Sequence, residues 1–235
     1  MKFYTIFVFL FLSLISFAQQ SNETIQFKLS FNHNSISVGN KYFNHTTSDS
    51  IRFDVIRFYI SNIQFFQEEA FAFSLEKKHH LIDLGNPESL IINFDKNTKQ
   101  NYNLIKFDLG IDSLTNVSGA FGGDLDPTNG MYWTWQSGYI NFKLEGTSSL
   151  CPARKNKFYW HIGGYSPPYN TLRQVSLKTN GKVSIQLDKL FEEKENLDFT
   201  KQLIVENQTD NLAQIFTQKR YKKSDNVHFS TEFLK

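Results

Sequence analysis

The residues best suited to chemistry in this chain are a single cysteine, six histidines and a loop rich in acidic side chains. Cys151 lies ten residues before His161, and only this pair could supply a nucleophile and a base. The sequence contains no Gly-x-Ser-x-Gly, no His-Glu-x-x-His and no glycine-rich phosphate loop. Templates for hydrolases, zinc proteases and nucleotide-binding enzymes therefore find no match, and we expect a protein that is not an enzyme.

The acidic loop spans residues 122–130 and contains Asp124 and Asp126. Together with Asp112 and Asn116 it offers oxygen ligands of the kind that calcium prefers, but the spacing matches no EF-hand. Asp and Asn side chains that bond local backbone groups, with glycine at positive φ, explain the same residues. We favour such turns over a calcium site.

Trp133 and Trp135 lie two residues apart in a run with the pattern of a strand. A period of two predicts that both side chains project from the same face of that strand. A dense aromatic surface of this kind can belong to a core, a redox site or a binding surface.

Period-two alternation between turn residues dominates the chain and predicts an all-β fold, mainly an antiparallel β-sandwich or barrel. In the first strand the apolar face runs from Ile25 to Phe31, and His33 continues it. Residues 197–219 have a helical pattern, so we expect short helical segments near the C-terminus. Further strands are predicted at 51–66, 80–84, 102–111, 131–145, 157–163, 172–178 and 182–188.

The first 18 residues have the features of a secretory signal peptide. Lys2 precedes an apolar run from Ile6 to Phe17, and cleavage is expected after Ala18. No later stretch is long enough to span a membrane, and no cysteine follows the cleavage site as a lipid acceptor. We expect a periplasmic or secreted protein with one domain, residues 19–235. With one cysteine, it contains no internal disulfide.

The charge of the predicted mature chain is close to neutral. Of 25 basic and 23 acidic residues, the signal peptide takes only Lys2, which leaves 24 basic and 23 acidic. Nucleic acid is therefore not an expected partner.

Seven segments, in order and spacing, resemble the MbnP-like family of exported copper-binding domains, which includes proteins of the MopE and CorA type. The resemblance covers most of the mature chain. The segments are Phe27–His33, Phe58–Ile63, His80–Asp83, Phe107–Ser113, Gly123–Pro127, Gly130–Tyr139 and Phe158–Gly164.

The resemblance implies a protein that captures or buffers copper through a few imidazoles, which bind copper in either oxidation state. Carried over by position, the expected metal ligands are His33, His80 and His161. His79 competes with His80, because adjacent strand residues face opposite ways and the sequence does not fix the phase. Copper binding is expected to fade below about pH 6, where histidines protonate.

Some members of the family carry a tryptophan that a di-haem peroxidase-like partner oxidises to kynurenine. That tryptophan lies two residues before a ligand histidine, where this chain has Phe31. We therefore expect a plain histidine site. A modified tryptophan would have to be Trp133, Trp135 or Trp160. Cys151 could be a free thiol, an intermolecular bridge or a soft copper ligand.

The alternative is a β-sandwich binding or adhesion module that uses exposed aromatic residues and no metal. The two functions differ in what they require of the fold. Copper capture requires at least two of His33, His80 and His161 to direct ring nitrogens at a shared position. His45 and His228 lie in polar surroundings, and we expect them on the surface.

Overall fold

The strands form two sheets. The computed structural model describes residues 22–45, 48–95, 101–135, 137–151, 153–167, 170–190 and 204–205. Its strands are β1 (Asn22–Phe31), β2 (Asn34–Ser35), β3 (Lys41–Asn44), β4 (Asp49–Gln67), β5 (Ala70–Ser74), β6 (His79–Asp83), β7 (Ile91–Asp95), β8 (Leu104–Leu109), β9 (Tyr132–Trp133), β10 (Gly138–Ser148), β11 (Lys157–Gly163), β12 (Arg173–Lys178), β13 (Lys182–Gln186) and β14 (Ile204–Val205). Its helices are α1 (Ser113–Val117) and 3-10 turns at Pro87–Leu90, Gly123–Leu125, Pro127–Asn129, Arg154–Asn156 and Leu187–Leu190.

The larger sheet has the order β12-β8-β4-β10-β11-β14; β3, β5 and β6 also pair with β4, and β9 pairs with β10. The smaller sheet has the order β13-β1-β2, with β7 paired to β1. Phe27 of the smaller sheet contacts Phe58 and Phe107 of the larger sheet, with ring centroids 6.4 Å apart in both pairs. The sheets thus enclose a common core, and the predicted antiparallel β-sandwich is confirmed.

Strand β4 is the centre of the larger sheet. Twice along its length, the alternation of core-facing and outward-facing side chains shifts by one residue. Its core-facing residues are Ile51 and Phe53, then Ile56, Phe58 and Ile60, then Ile63 and Phe65. Each change coincides with a register irregularity, the first in the pairing with β10 and the second in the pairing with β8. Each bulge adds one residue and restores the apolar face. One 19-residue strand can therefore line the core throughout its length.

The outer face of the larger sheet is covered by the connection from β8 to β10, here called the cap segment (residues 110–135). Its buried side chains pack on two tyrosines of the sheet and form a second hydrophobic cluster. The buried members of this cap cluster are Tyr59, Ile111, Leu125, Met131, Trp133, Tyr139 and Ile140. Two acidic side chains of the cap segment also reach β6: Asp112 lies 4.0 Å from His79 Nε2, and Asp124 accepts from the Leu81 N–H.

The predicted strand 131–145 is wrong at its centre. The chain forms a short hairpin there, with β9 paired to the start of β10 and Trp135 in the turn. Trp133 is 6% exposed and belongs to the cap cluster, whereas Trp135 is 62% exposed. The two indoles do not share a strand face, although their rings remain 5.9 Å apart.

Both ends of the chain lie largely outside the described residues. The predicted signal peptide, residues 1–18, is one such part, and His228 is another. Of the predicted helical region 197–219, the structure describes Ile204 and Val205, which pair with β11 as a strand rather than a helix. The other predicted strands match observed ones to within a few residues.

Candidate metal site

His33 does not continue the apolar face of β1. The strand ends at Phe31, and Asn32 and His33 form the turn into β2, with φ of 47° and 66°. A two-residue hairpin loop of type I′ requires positive φ at both positions. The turn leaves His33 exposed, so the predicted placement on the apolar face is wrong.

His33 and His80 lie near opposite ends of the sandwich. The ring of Phe31, next to the turn, packs on Phe53 with centroids 5.4 Å apart. His80 pairs with Ile60, seven residues further along β4. At about 3.3 Å per strand residue this is roughly 23 Å. The structure therefore does not bring these two predicted ligands together.

His161 forms a hydrogen bond with Glu145 on the outer face of the larger sheet. It pairs with Lys143 across β10 and β11, and its Nε2 donates to Glu145 Oε1 at 2.7 Å. The bond from His161, followed by the charge of Lys143, holds the pKa of the Glu145 carboxyl below its usual range. The His161 imidazole is thus engaged in a structural contact.

His80 lies on the core face of β6 and is 7% exposed. Its Nε2 donates to the Lys77 carbonyl oxygen at 3.0 Å, which fixes the proton on that nitrogen. Burial, together with the nearby Lys77 charge, lowers the pKa of His80 to about 4. This imidazole is therefore neutral at physiological pH, but one ring nitrogen is already used.

His79 lies on the opposite face of β6, next to Ser61 across the strand pair. Its side chain is 19% exposed, and within the described residues its buried Nε2 has no hydrogen-bond partner. Asp112 Oδ2 lies 4.0 Å from that nitrogen. Burial lowers the pKa of His79, which favours the neutral ring that binds metals. The two histidines thus differ: among the described residues, His79 has a buried ring nitrogen without a hydrogen-bond partner, and His80 does not.

Asp112 is held in place as the N-cap of α1. Its Oδ1 accepts from the Thr115 backbone N–H at 2.9 Å and its Oδ2 from the Thr115 hydroxyl at 2.7 Å. Burial raises the pKa of Asp112, but the bonds from Thr115 and the nearby His79 outweigh it and leave the pKa below its usual value. Asp112 is therefore a carboxylate that faces the open nitrogen of His79.

Two buried asparagines fix the backbone around Asp112. Asn141 Oδ1 accepts from the Ile111 N–H at 2.9 Å. Asn116 Nδ2 donates to the Ile111 and Asp112 carbonyls, and its Oδ1 accepts from the Tyr139 N–H. The start of the cap segment is thus bonded directly to β10.

Asp124 connects β6 to the cap segment. Its carboxylate accepts two bonds from Lys77 Nζ, both at 2.9 Å, and one from the Leu81 N–H at 2.9 Å. It lines a cleft of about 510 Å³ that also contains Lys77 and His80. Asp124 therefore bonds β6, the strand that contains both histidines, to the cap segment.

The other sequence candidates have structural roles. Asp126 Oδ1 accepts from the Thr128 N–H and hydroxyl, and Gly123 and Gly130 have positive φ, as expected for turns. Cys151 is a buried free thiol in the main core, bonded to the Lys157 carbonyl.

No group of three or more His, Cys, Asp or Glu side chains in the described ranges could hold a metal ion. His33, His80 and His161 are not one cluster, and their assignment as ligands stays a prediction. The His79–Asp112 pair was missed, because no local pattern connects residues from β6 and the cap segment. The sequence pointed toward this pair only by leaving His79 and His80 as alternative candidates for the same metal ligand.

The fold and these contacts define a β-sandwich with a capped outer face and a histidine–carboxylate pair beneath the cap. The MbnP family model matches residues 20–225, so this chain belongs to the MbnP family. MbnP from Methylosinus trichosporium has a similar solved structure, with a TM-score of 0.54 and 14% identity over 74% of this chain and 78% of that one. This similarity supports the fold. A search of curated proteins found no match.

None of the helices in the described part of the chain is long and apolar enough to cross a bilayer.

Proposed function

We propose that this protein is exported and captures copper through a histidine imidazole on β6. Family membership supports the copper assignment, since copper binding is what the resemblance implied. The family match begins at residue 20, just after the expected cleavage site, which supports export.

The observation that carries the proposal is that the buried Nε2 atom of His79 has no hydrogen-bond partner among the described residues. A buried polar atom without a partner is uncommon and needs an explanation. Neutral imidazole suits copper, and divalent copper has the highest affinity of the common divalent ions for such donors. His79 therefore replaces His80 as the favoured ligand. Its lowered pKa extends copper binding to lower pH than an ordinary histidine allows.

We also propose that copper is cargo and that the protein turns over no substrate. Cys151 lies in the main core, whereas His161 is on the outer face and bonded to Glu145. The sequence candidates for nucleophile and base are thus on different faces of the sheet. This arrangement supports binding without catalysis.

Copper content after loading and desalting tests the proposal. We expect about one copper ion per mature chain, reduced to background in His79→Ala, because one ligand deletion removes most of the affinity of a site with few ligands. His33→Ala is the matched control, since His33 is exposed and distant. Wild-type protein without copper, or full loading of His79→Ala, would contradict it.

A second function, binding through exposed aromatic residues, is supported by four exposed apolar side chains of the cap segment. They are Leu114, Val117, Phe121 and Trp135, which are 75%, 66%, 45% and 62% exposed. Large exposed apolar groups are candidates for interaction with a ligand or partner when they adjoin one another on the surface. Binding of the copper-free protein to immobilised glycans, lost in Trp135→Ala but kept in Phe71→Ala, would favour this function.

A di-haem peroxidase-like partner stays a prediction. Among the tryptophans, Trp160 is 1% exposed and Trp133 is 6% exposed. Trp135 is the accessible one. A partner that oxidises a tryptophan without unfolding the protein would therefore meet Trp135 first.

A further inference from the structure

We infer that the cleft between β6, β7 and the cap segment binds a small organic cation, whose protonated amine donates to His80 Nδ1 and Asn129 Oδ1 and is balanced by the carboxylate of Glu88. The cleft has a volume of about 510 Å³, which is within the range of small-molecule sites. It is separate from the site proposed for copper, because His79 lies on the opposite face of β6 from His80.

His80 provides a hydrogen-bond acceptor to this cleft. Its Nε2 must donate to the Lys77 carbonyl oxygen, at 3.0 Å, because a carbonyl can only accept. The neutral ring then has its lone pair on Nδ1. Among the described residues no donor bonds this atom, which is not fully shielded from solvent. Because burial lowers the pKa of His80 to about 4, Nδ1 remains an acceptor at neutral pH.

Asn129 of the cap segment provides a second acceptor. Its Nδ2 donates to the carbonyl oxygens of Gly123 and Asp124, at 3.0 and 3.1 Å. These two bonds determine which end of the amide is the nitrogen, and they leave Oδ1 without a partner among the described residues. Since both His80 and Asn129 line the cleft, a ligand there must bring hydrogen-bond donors.

The charges of the lining residues leave one carboxylate unpaired. Asp124 is paired with Lys77, with Nζ 2.9 Å from Oδ2, and Asp83 is paired with Arg57, with Nε 2.7 Å from Oδ2. Glu88 is exposed and forms no ion pair within the part of the chain that the structure describes. The cleft therefore carries an excess negative charge, which attracts a cation.

The donors and the walls of the cleft suit an ammonium group on a carbon skeleton. An ammonium group donates up to three hydrogen bonds, which matches the acceptors of His80, Asn129 and Glu88. Leu81 and Ile91 provide apolar lining for the carbon atoms of the ligand. A metal ion needs more ligands, and the described ranges contain no group of three or more His, Cys, Asp or Glu side chains that could hold one.

The test is an NMR titration of the copper-free, isotope-labelled mature chain with glucosamine and with N-acetylglucosamine, at a pH where His80 is neutral. The two sugars share a ring, but only glucosamine has a protonated amine. We expect glucosamine to shift the backbone amide resonances of Leu81, Asn93 and Gly123, which line the cleft, and the Nδ1 resonance of His80. It should bind about tenfold more tightly than N-acetylglucosamine, because hydrogen bonds from a charged donor are the stronger ones.

Glu88→Gln isolates the contribution of the charge. Because Glu88 is exposed, this variant should fold as wild type does. Glu69→Gln is the matched control, since Glu69 is also exposed and lies in the turn between β4 and β5, outside the cleft. We expect Glu88→Gln to weaken glucosamine binding by about two- to fivefold, as for a partly exposed ion pair, and Glu69→Gln to leave it unchanged.

Four results would overturn the inference. They are no shifts at millimolar glucosamine, shifts that map outside the cleft, equal binding of N-acetylglucosamine, and equal glucosamine affinity in Glu88→Gln and Glu69→Gln. Each of these results leaves copper capture at His79 standing, because the titration contains no copper.

Discussion

Gly163 of β11 lies directly beneath the indole of Trp133. A methyl group on Gly163 would be 2.5 Å from Trp133 Cζ3 and 2.6 Å from the Tyr139 carbonyl oxygen. Contacts this short between a real Cβ and backbone do not occur, so glycine at this position is what allows the cap cluster to close onto the sheet.

Gly163→Ala is therefore expected to displace Trp133 and to lower the free energy of unfolding by about 1–3 kcal/mol, the usual cost of overpacking. Urea denaturation followed by tryptophan fluorescence measures it. Gly122→Ala is the control, because a methyl group there meets nothing within 4 Å. Equal stability of the two variants would mean that the cap does not pack on β11 in this way.

Asn141→Ala tests the anchoring of the proposed site. The substitution removes the acceptor of the buried Ile111 N–H and the donor to Thr171 Oγ1, which keeps its bond to the Gly164 carbonyl. The unpaired Ile111 N–H costs about 1–3 kcal/mol. We also expect weaker copper binding at His79, because Asp112 directly follows Ile111 and its carboxylate lies 4.0 Å from His79 Nε2. Calorimetric melting and copper titration check both effects against exposed Asn40→Ala. Unchanged copper affinity in a folded Asn141→Ala protein would show that the anchor is not needed for binding.

His80 is expected to make the protein sensitive to acid. Its pKa is about 4 in the folded protein and near 6.5 when unfolded, so the unfolded state binds the proton more tightly. Stability is thus fully present above about pH 6.5 and falls as the pH approaches 4, by on the order of 3 kcal/mol in total.

His80→Gln keeps an N–H for the Lys77 carbonyl and removes this titration. Between pH 7 and pH 4.5 we expect its unfolding free energy to fall less than that of wild type, as measured by urea denaturation. Exposed His33→Gln should behave as wild type. A variant as acid-sensitive as wild type would mean that His80 does not titrate while buried.

Cys151 is expected to resist thiol reagents in the native protein, since it is 1% exposed and its Sγ is bonded to the Lys157 carbonyl. Reaction with an aromatic disulfide reagent should be slow in buffer and complete in denaturant. Fast reaction of the native chain would place the thiol at the surface and restore the intermolecular bridge as an option.

The sequence predicted the sandwich well because its signal is local. Alternating apolar residues determine which face of each strand is buried, and the bulges of β4 preserve that face rather than reverse it. Strand β1 was predicted to continue to His33 because neither Asn32 nor His33 is a glycine, the residue that usually marks a turn with positive φ.

The site could not be predicted in the same way. Whether His79 or His80 faces the cap depends on the pairing of β6 with β4, which no local pattern determines. The position of Asp112 depends on Asn116 and Asn141, which are bonded across different elements. Trp135 was expected beside Trp133 on a strand, but the hairpin turn of β9 and β10 exposes it.

The measurement that tests copper capture at His79 most directly is an anomalous difference map from crystals of the mature chain grown with Cu(II), with data collected on both sides of the copper absorption edge. Copper capture at His79 predicts one strong peak about 2 Å from Nε2 of His79. A strongest peak at His33, His80 or His161, or no ordered copper at all, would contradict it.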